Sequence, residues 1–241
     1  MTVLWSRRHS VVVDERRGSI HVWKDRFRDP ALTILLVLEI CLIFLGAPLA
    51  AKGVPLARPI IETMVLAVVV IVGMLSHRRG AIAAIVLGLA AILVAVSLGS
   101  EWPPAVASVL RRGGNILTFL ALSWVVSHAV YAPGRITFHR LQGAAVLYLN
   151  AAIIFAAAFT LIWELSPAAF TSPPATTGDL GELATMLYFS LTTLTTTGYG
   201  DIMPVDPFAR SLANLESVLG PFYLAITVAR LVTLEVEDRR R

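Results

Sequence analysis

Apolar stretches long enough to cross a membrane recur along the chain. A spanning helix needs ~20 mostly apolar residues. Six segments approach or exceed that length: 31–50, 59–76, 81–98, 115–131, 141–163 and 208–234. Short polar links separate the first five, and a polar stretch rich in Pro, Thr and Gly lies before the sixth. Within that stretch, 180–194 is apolar but too short to span. The pattern predicts six spans and one helix that enters the membrane and returns.

The composition agrees with an all-α membrane protein. Hydrophobic residues make up 56% of the chain and charged residues 15%, with a mean hydropathy of +0.75. A soluble domain carries roughly 25% charged residues, so too few polar residues are present to cover one buried core. The single cysteine, Cys41, excludes an intrachain disulfide.

Positive charge is distributed unevenly between the two ends of the spans. Residues 1–30 hold seven Lys and Arg and no apolar core of a cleaved signal, so we expect a cytoplasmic arm there. With six spans, fifteen of the twenty Lys and Arg fall on the side of the termini. This predicts cytoplasmic termini and an outward-facing segment 164–207. It also accounts for the pI near 9.6 without a nucleic-acid partner.

A short motif follows the apolar segment 180–194. The run from Leu191 to Pro204 reads LTTLTTTGYGDIMP. Its core, TTGYGD at 196–201, resembles the selectivity-filter signature of potassium channels, with Thr197 where Val is common. As in that family, the motif follows a short helix and lies between two spans. The resemblance covers 141–234, whereas the first four spans resemble the family only in number and order.

Backbone oxygens explain how such a motif selects an ion. A K+ ion entering a narrow pore loses its water shell, and rings of carbonyl oxygens replace it. Successive carbonyls face one axis only if the backbone alternates between right- and left-handed conformations, and glycine adopts the left-handed ones cheaply. The resemblance implies that Tyr199 braces the strand and that the Thr196 hydroxyl closes its inner end. The ion-binding residues expected from it are Thr196, Thr197, Gly198, Tyr199 and Gly200.

The resemblance also implies the assembly. One strand cannot encircle an ion, so we expect a homotetramer in membrane lipid, with K+ as the permeant ligand and no cofactor. The compact chain is typical of a prokaryotic plasma membrane protein. The parts implied are an N-terminal arm 1–30, a voltage-sensor-like four-helix domain 31–131, a linker 132–140, and a pore domain 141–241 with helix 141–163, pore helix at about 181–194, filter 196–200 and inner helix 208–234.

The short helix contains the residues expected to support the filter. Asp179 and Glu182 form a capping-box pair that predicts where this helix begins. Potassium channels often place two Trp where this chain has Tyr188 and Phe189, and Phe189 cannot donate a hydrogen bond to an aspartate. That brace is therefore missing or replaced, and Thr192 stands where some channels keep an acid. The filter-supporting residues expected are Asp201, Thr195, Thr192, Tyr188 and Phe189.

The last span contains a Gly-Pro pair. Gly220 lies at a distance from Gly200 where the family often places the hinge of the inner helix. Pro221 removes one helical hydrogen bond and can bend the helix. We expect Gly220 and Pro221 to form the gating hinge. The alternative is a glycine admitted for close helix packing.

The fourth predicted span, 115–131, contains no Arg or Lys, and Arg111 and Arg112 lie at its outer edge. Voltage-gated relatives carry charges there, because moving charges through the field supplies the gating work. We therefore expect weak or no voltage dependence.

Three ionisable side chains are interpreted as membrane-embedded, namely Glu39, Glu216 and His128, whereas Glu62 lies near the end of its span. Such residues are functional candidates because charge in a bilayer is costly. Glu216 lies four residues before Gly220, and it either forms a structural hydrogen bond with the pore helix or senses protons. His128 is expected to be a packing residue.

Two other functions fit parts of the sequence. A non-selective cation channel is the nearest alternative, but such relatives usually alter the Gly-Tyr-Gly core, which is intact here. The residues 198–201 also fit the GxGD pattern of intramembrane aspartyl proteases. That chemistry needs a second aspartate in a neighbouring span, and none of the other predicted spans contains one. We therefore expect no enzyme and no metal site other than K+ at the filter.

Overall fold

A computed structural model of the protein describes residues 31–75, 79–98, 102–131, 138–171 and 179–239. Nearly all of these residues are helical. The helices are α1 (Ala31–Ala51), α2 (Ala57–Leu75), α3 (Arg79–Leu98), α4 (Pro104–Val130), α5 (Phe138–Leu165), α6 (Asp179–Leu194) and α7 (Pro207–Arg239). The described ranges contain no β-strand beyond one isolated antiparallel bridge between Phe170 and Pro204. The all-helical fold expected from the sequence is confirmed for this part of the chain.

Four helices in the described ranges are long and apolar enough to cross a membrane. They are α1, α4, α5 and the part of α7 that runs from Pro207 to Arg230. The second and third predicted spans form α2 and α3, of 19 and 20 residues, and the total of six spans stays a prediction. With 16 residues, α6 reaches about 24 Å, short of the ~30 Å of a hydrocarbon core. Its return into the membrane also stays a prediction.

The helices pack largely against their sequence neighbours. α3 lies against α4, α4 against α5, and α5 against both α6 and α7. Two glycines lie where α3 crosses α4: a Cβ at Gly114 would come within 2.6 Å of the Gly88 carbonyl oxygen. Small residues at such a crossing allow the two backbones to approach closely. The pair therefore fixes the position at which these helices cross.

A π-helical turn interrupts α1 at Leu42–Gly46. Such a turn inserts an extra residue and rotates the remainder of the helix. The residues after the turn, Ala47–Ala51, pack against α6. The first helix therefore also supports the short helix.

The largest difference from the predicted boundaries is at α4. The helix begins at Pro104, a favoured first position for proline, and not at residue 115. Arg111 and Arg112 therefore lie inside the helix, which corrects their predicted position at its edge. Arg112 is only 2% exposed and donates from Nε and a terminal nitrogen to Glu164 Oε1 of α5, at 3.0 and 2.7 Å. Arg111 reaches the same oxygen at 3.1 Å, so one carboxylate ties α4 to α5.

The N-terminal arm 1–30 and the linker residues 132–137 lie outside the described residues, so both stay predictions. The last three residues of the predicted linker, 138–140, instead form the first turn of α5. His139 Nδ1 lies 2.9 Å from Thr33 Oγ1, and Thr33 donates to Gln142 Oε1 at 2.6 Å. These contacts join the start of α5 to the start of α1.

Candidate functional site

The TTGYGD motif follows directly after the C-terminal end of α6. Its first residues turn tightly and hydrogen-bond to the last turn of that helix. The N–H of Thr196 donates to the Thr193 carbonyl at 2.9 Å. The N–H groups of Thr197 and Gly198 both donate to the Thr192 carbonyl, at 2.8 and 3.1 Å. In a trans peptide, an N–H and the preceding carbonyl point in opposite directions. The carbonyls of Thr196 and Thr197 therefore point away from the end of α6.

The backbone of the motif alternates in handedness. Gly198 and Gly200 have φ values of +54° and +78°, the left-handed conformations that the sequence assigned to them. Thr196 also has a positive φ, +56°, which the two glycines alone do not predict. Extending the two-residue spacing of the glycines backwards would have identified it. A left-handed conformation at a threonine costs about 1–2 kcal/mol. The bonds to the end of α6 therefore hold residues 196–200, called the strand hereafter although they belong to no β-sheet, in a strained conformation.

Threonine hydroxyls connect this strand to α6. Thr195 Oγ1 lies 2.7 Å from the Leu191 carbonyl, to which it donates, and 2.8 Å from Thr197 Oγ1. Thr192 donates its hydroxyl to the Phe189 carbonyl at 2.9 Å, while its own carbonyl holds the strand. Two of the predicted support residues, Thr195 and Thr192, thus contact the motif or its anchor.

Tyr188, rather than Phe189, is the side chain of α6 that interacts with Asp201. A hydrogen-bonding interaction with the nearby Asp201 carboxylate raises the pKa of Tyr188. The rings of Tyr188 and Tyr199 are nearly parallel, at 3°, with centroids 6.3 Å apart. Tyr199 and Asp201, in the second half of the motif, therefore both lie beside Tyr188 of α6.

Phe189 points into an aromatic cluster instead of toward Asp201. Its ring packs edge-to-face on Phe159 of α5, with centroids 4.9 Å apart, and on Phe170 at 5.7 Å. Phe189 is therefore placed to fix α6 against α5. Its predicted role in filter support stays a prediction.

Hydrogen bonds hold the segment that connects the motif to α7 at two places. Thr171 donates its N–H to the Met203 carbonyl at 2.9 Å, next to the Phe170–Pro204 bridge. Asp206 Oδ1 accepts from the N–H groups of Phe208 and Ala209 at 2.8 and 3.1 Å. This helix cap at the start of α7 was missed from the sequence, although an Asp before a Pro is a helix-start signal.

Gly220 lies directly against the end of α6. A Cβ at this position would clash with the carbonyl oxygen of Leu194. Helix α7 continues through Pro221, whose side chain is exposed. This geometry gives Gly220 the close-packing role that the sequence left as the alternative, and the hinge role of Gly220 and Pro221 stays a prediction.

Gly220→Ala is expected to lower the free energy of unfolding by about 1–3 kcal/mol, because the added methyl group has no space beside the Leu194 carbonyl. Chemical denaturation in detergent micelles measures the change. Gly113→Ala is the matched control, since a Cβ at Gly113 of α4 meets no heavy atom within 4 Å. Equal stability of Gly220→Ala and the wild-type protein would contradict the packing role.

The three ionisable residues inside predicted spans have different surroundings. His128 is exposed, and its Nδ1 bonds the Trp124 carbonyl one turn earlier at 2.8 Å. Glu39 is 1% exposed, and neither carboxylate oxygen has a hydrogen-bond partner among the described residues. Glu216 is fully buried and hydrogen-bonds Ser190 of α6, as the expected hydrogen bond to the pore helix requires, although the sequence did not identify Ser190 as the partner. No cluster of metal-ligating side chains occurs in the described ranges.

The C-terminal part of the chain matches a known family. A family model described as "Ion channel" matches residues 145–237, which include most of α5, all of α6, the motif and nearly all of α7. No curated protein and no solved structure matches the chain. With the membrane-length helices, the family match supports a membrane-embedded ion channel and points to a protein that is not an enzyme.

Proposed function

We propose that the protein conducts K+ passively and selectively across a membrane, through a pore formed by four copies of the chain. The observation that carries this proposal is the strand Thr196–Gly200, with left-handed backbone at every second residue and its first N–H groups bound to the end of α6. Carbonyls directed away from that anchor can replace the water shell of the ion. The negative end of the α6 dipole lies at the same place and favours a cation.

Four copies are proposed because one chain leaves the strand open on one side. Residues 195–200 are exposed, and a Cβ at Gly198 or Gly200 would meet no heavy atom within 4 Å. Helix α7 also exposes a long row of apolar side chains: Phe208, Leu215, Val218, Leu219, Phe222, Leu224, Ile226 and Val228. A homotetramer surrounded by lipid would cover both features. Native mass spectrometry of the purified protein is expected to give a mass of four chains.

A non-selective cation channel is the second candidate. Thr197, within the strand, and Thr192, behind it, favour this candidate. Potassium channels commonly have Val at the first position, and some have an acidic residue at the second. The Tyr188 contacts to Tyr199 and Asp201 favour selectivity, because a firmly held strand keeps its carbonyl rings at the spacing that suits K+. On this balance we favour the potassium-selective channel.

Weak or absent voltage dependence is part of the proposal. The two arginines of α4, Arg111 and Arg112, bind Glu164 of α5. A charge held by a neighbouring helix contributes little to movement through the field. The distribution of Lys and Arg supports cytoplasmic termini. A plasma membrane location is part of the same proposal.

Purified protein in liposomes tests the function. With a K+ gradient across the bilayer, we expect K+ flux that far exceeds Na+ flux in the same vesicles with Na+ substituted. Equal fluxes of both ions would favour the non-selective alternative. No flux of either ion from a folded tetramer would contradict passive conduction.

Tyr188→Phe is expected to lower the ratio of K+ to Na+ flux roughly five-fold, the factor that corresponds to ~1 kcal/mol for one hydrogen bond. The variant keeps the ring that lies parallel to Tyr199 and removes only the hydroxyl that binds Asp201. Tyr131→Phe is the control, because its hydroxyl bonds Thr227 at the other end of α7. An unchanged ratio in Tyr188→Phe would show that the Asp201 bond does not support selectivity.

A further inference from the structure

One serine hydroxyl joins three helices behind the motif. Ser190 of α6 is fully buried, and its Oγ lies 2.9 Å from the Ala152 carbonyl of α5. The same Oγ makes a short hydrogen bond with Glu216 Oε1 of α7. Glu216 is also fully buried, so it does not face the open side of the strand. This contact is separate from the residues proposed to bind the ion.

The count of protons at this contact indicates the state of Glu216. A serine hydroxyl has one hydrogen to donate and can also accept. If Ser190 gives its single hydrogen to the Ala152 carbonyl, which only accepts, that hydrogen is not available to Glu216. The short contact between Ser190 and Glu216 then needs a hydrogen from the glutamate. A protonated Glu216 donates to Ser190, Ser190 donates to the Ala152 carbonyl, and every hydrogen has an acceptor.

The surroundings of Glu216 agree with a neutral carboxylic acid. Its second oxygen, Oε2, has no hydrogen-bond partner among the described residues, and no ion pair in the described ranges includes Glu216. The titratable neighbour on α5 is Tyr148, which donates its hydroxyl to the Leu194 carbonyl at 3.2 Å. Removing an ionised carboxylate from water is far more costly than removing a neutral one. Because no ion pair in the described ranges balances a charge on Glu216, its bare, buried oxygen favours the protonated acid.

We propose that Glu216 keeps a proton in the folded channel and acts through Ser190 as a positioning residue for the filter. The chain of two hydrogen bonds fixes α7 and α5 against the C-terminal part of α6, just before Thr192 and Thr193, whose carbonyls anchor the strand. Gly220, one turn further along α7, contacts the Leu194 carbonyl at the end of α6. The face of α7 formed by Glu216 and Gly220 thus supports the part of α6 from which the strand leaves.

The effect on ion flux rests on the proposed function, whereas the proton itself can be detected without any flux. Infrared spectroscopy of the full-length protein in detergent separates the carbonyl band of a protonated carboxylic acid from the bands of carboxylates. We expect the difference between wild type and Glu216→Gln to show the loss of one protonated-acid band. Glu39→Gln, a buried glutamate of α1, is the control in which the Glu216 band persists. A difference that shows only carboxylate bands would overturn the proposal.

Ion flux in liposomes then tests the positioning role. Ser190→Ala and Glu216→Ala are each expected to lower the ratio of K+ to Na+ flux about ten-fold, the factor that ~1.4 kcal/mol represents. Glu216→Gln is expected to keep the wild-type ratio, because its amide N–H can donate to Ser190 at any pH. Ser123→Ala, a partly buried serine of α4, is the matched control. A wild-type ratio in both alanine variants would overturn the positioning role.

These results are distinct from a failure of the proposed function. If the wild-type protein conducts no ion, the proposed function fails, and the infrared difference still decides the state of Glu216. If Ser190→Ala does not fold, the comparison of Glu216→Ala with Glu216→Gln still decides whether the donated hydrogen matters. An equal loss of selectivity in both Glu216 variants would overturn the role of that hydrogen.

Discussion

Gly198→Asp is expected to reduce K+ flux into liposomes to the level of empty vesicles. Gly198 has a φ of +54° in the middle of the strand. A side chain there strains the left-handed backbone by about 1–2 kcal/mol. In the proposed tetramer, four such side chains would also add four negative charges around the ion path. Radioactive or fluorescent K+ uptake measures the loss directly.

Gly53→Asp separates the effect of the pore from the effect of backbone strain. Gly53 has a φ of +67°, and a Cβ there meets no heavy atom within 4 Å, but it lies in the turn between α1 and α2. This control carries the same substitution and a similar strain, and it is expected to conduct. Wild-type flux in Gly198→Asp would show that the strand does not form the ion path.

Glu164→Gln is expected to lower the free energy of unfolding by about 3 kcal/mol, because it removes the carboxylate charge bound by a buried arginine. Glu164 is 8% exposed and Arg112 is 2% exposed, and the same Glu164 oxygen also binds Arg111. Like charges on two adjacent arginines then lose their shared partner. Denaturation in detergent micelles measures the change.

The exposed ion pair of α2 provides the comparison. Arg58 and Glu62 lie 3.0 Å apart with both side chains 64% exposed. Glu62→Gln is expected to change the free energy of unfolding by ~0.3–0.5 kcal/mol. A Glu164→Gln effect as small as that of Glu62→Gln would contradict the structural role of the α4–α5 ion pair.

The positions of the helices could be predicted because each depends on local sequence. Apolar runs gave α1 and α5 nearly at their observed limits, and the capping pattern gave the start of α6 at Asp179. The start of α4 was wrong because Arg111 and Arg112 interrupt the apolar run. Inside the helix those charges bind Glu164, which is more than fifty residues away in the sequence. The π-helical turn at Leu42–Gly46 has no local signal either.

The left-handed conformations of Gly198 and Gly200 could be predicted because glycine adopts such conformations at little cost. The support of the strand could not be predicted, since it depends on which side chains meet across helices. Nothing local to Ser190 indicates its bonds to Ala152 and Glu216. The contact of Gly220 with the Leu194 carbonyl likewise joins two helices. The sequence is compatible with a packing role and with a hinge role for Gly220, and it does not distinguish between the two.

The reversal potential of single channels in a planar bilayer tests the central claim most directly. With K+ on one side and Na+ at equal concentration on the other, we expect a reversal potential beyond about 59 mV, which corresponds to more than ten-fold preference for K+. The preference should be nearly the same in both orientations of the channel. A reversal potential near zero would contradict potassium selectivity and identify a non-selective cation pore.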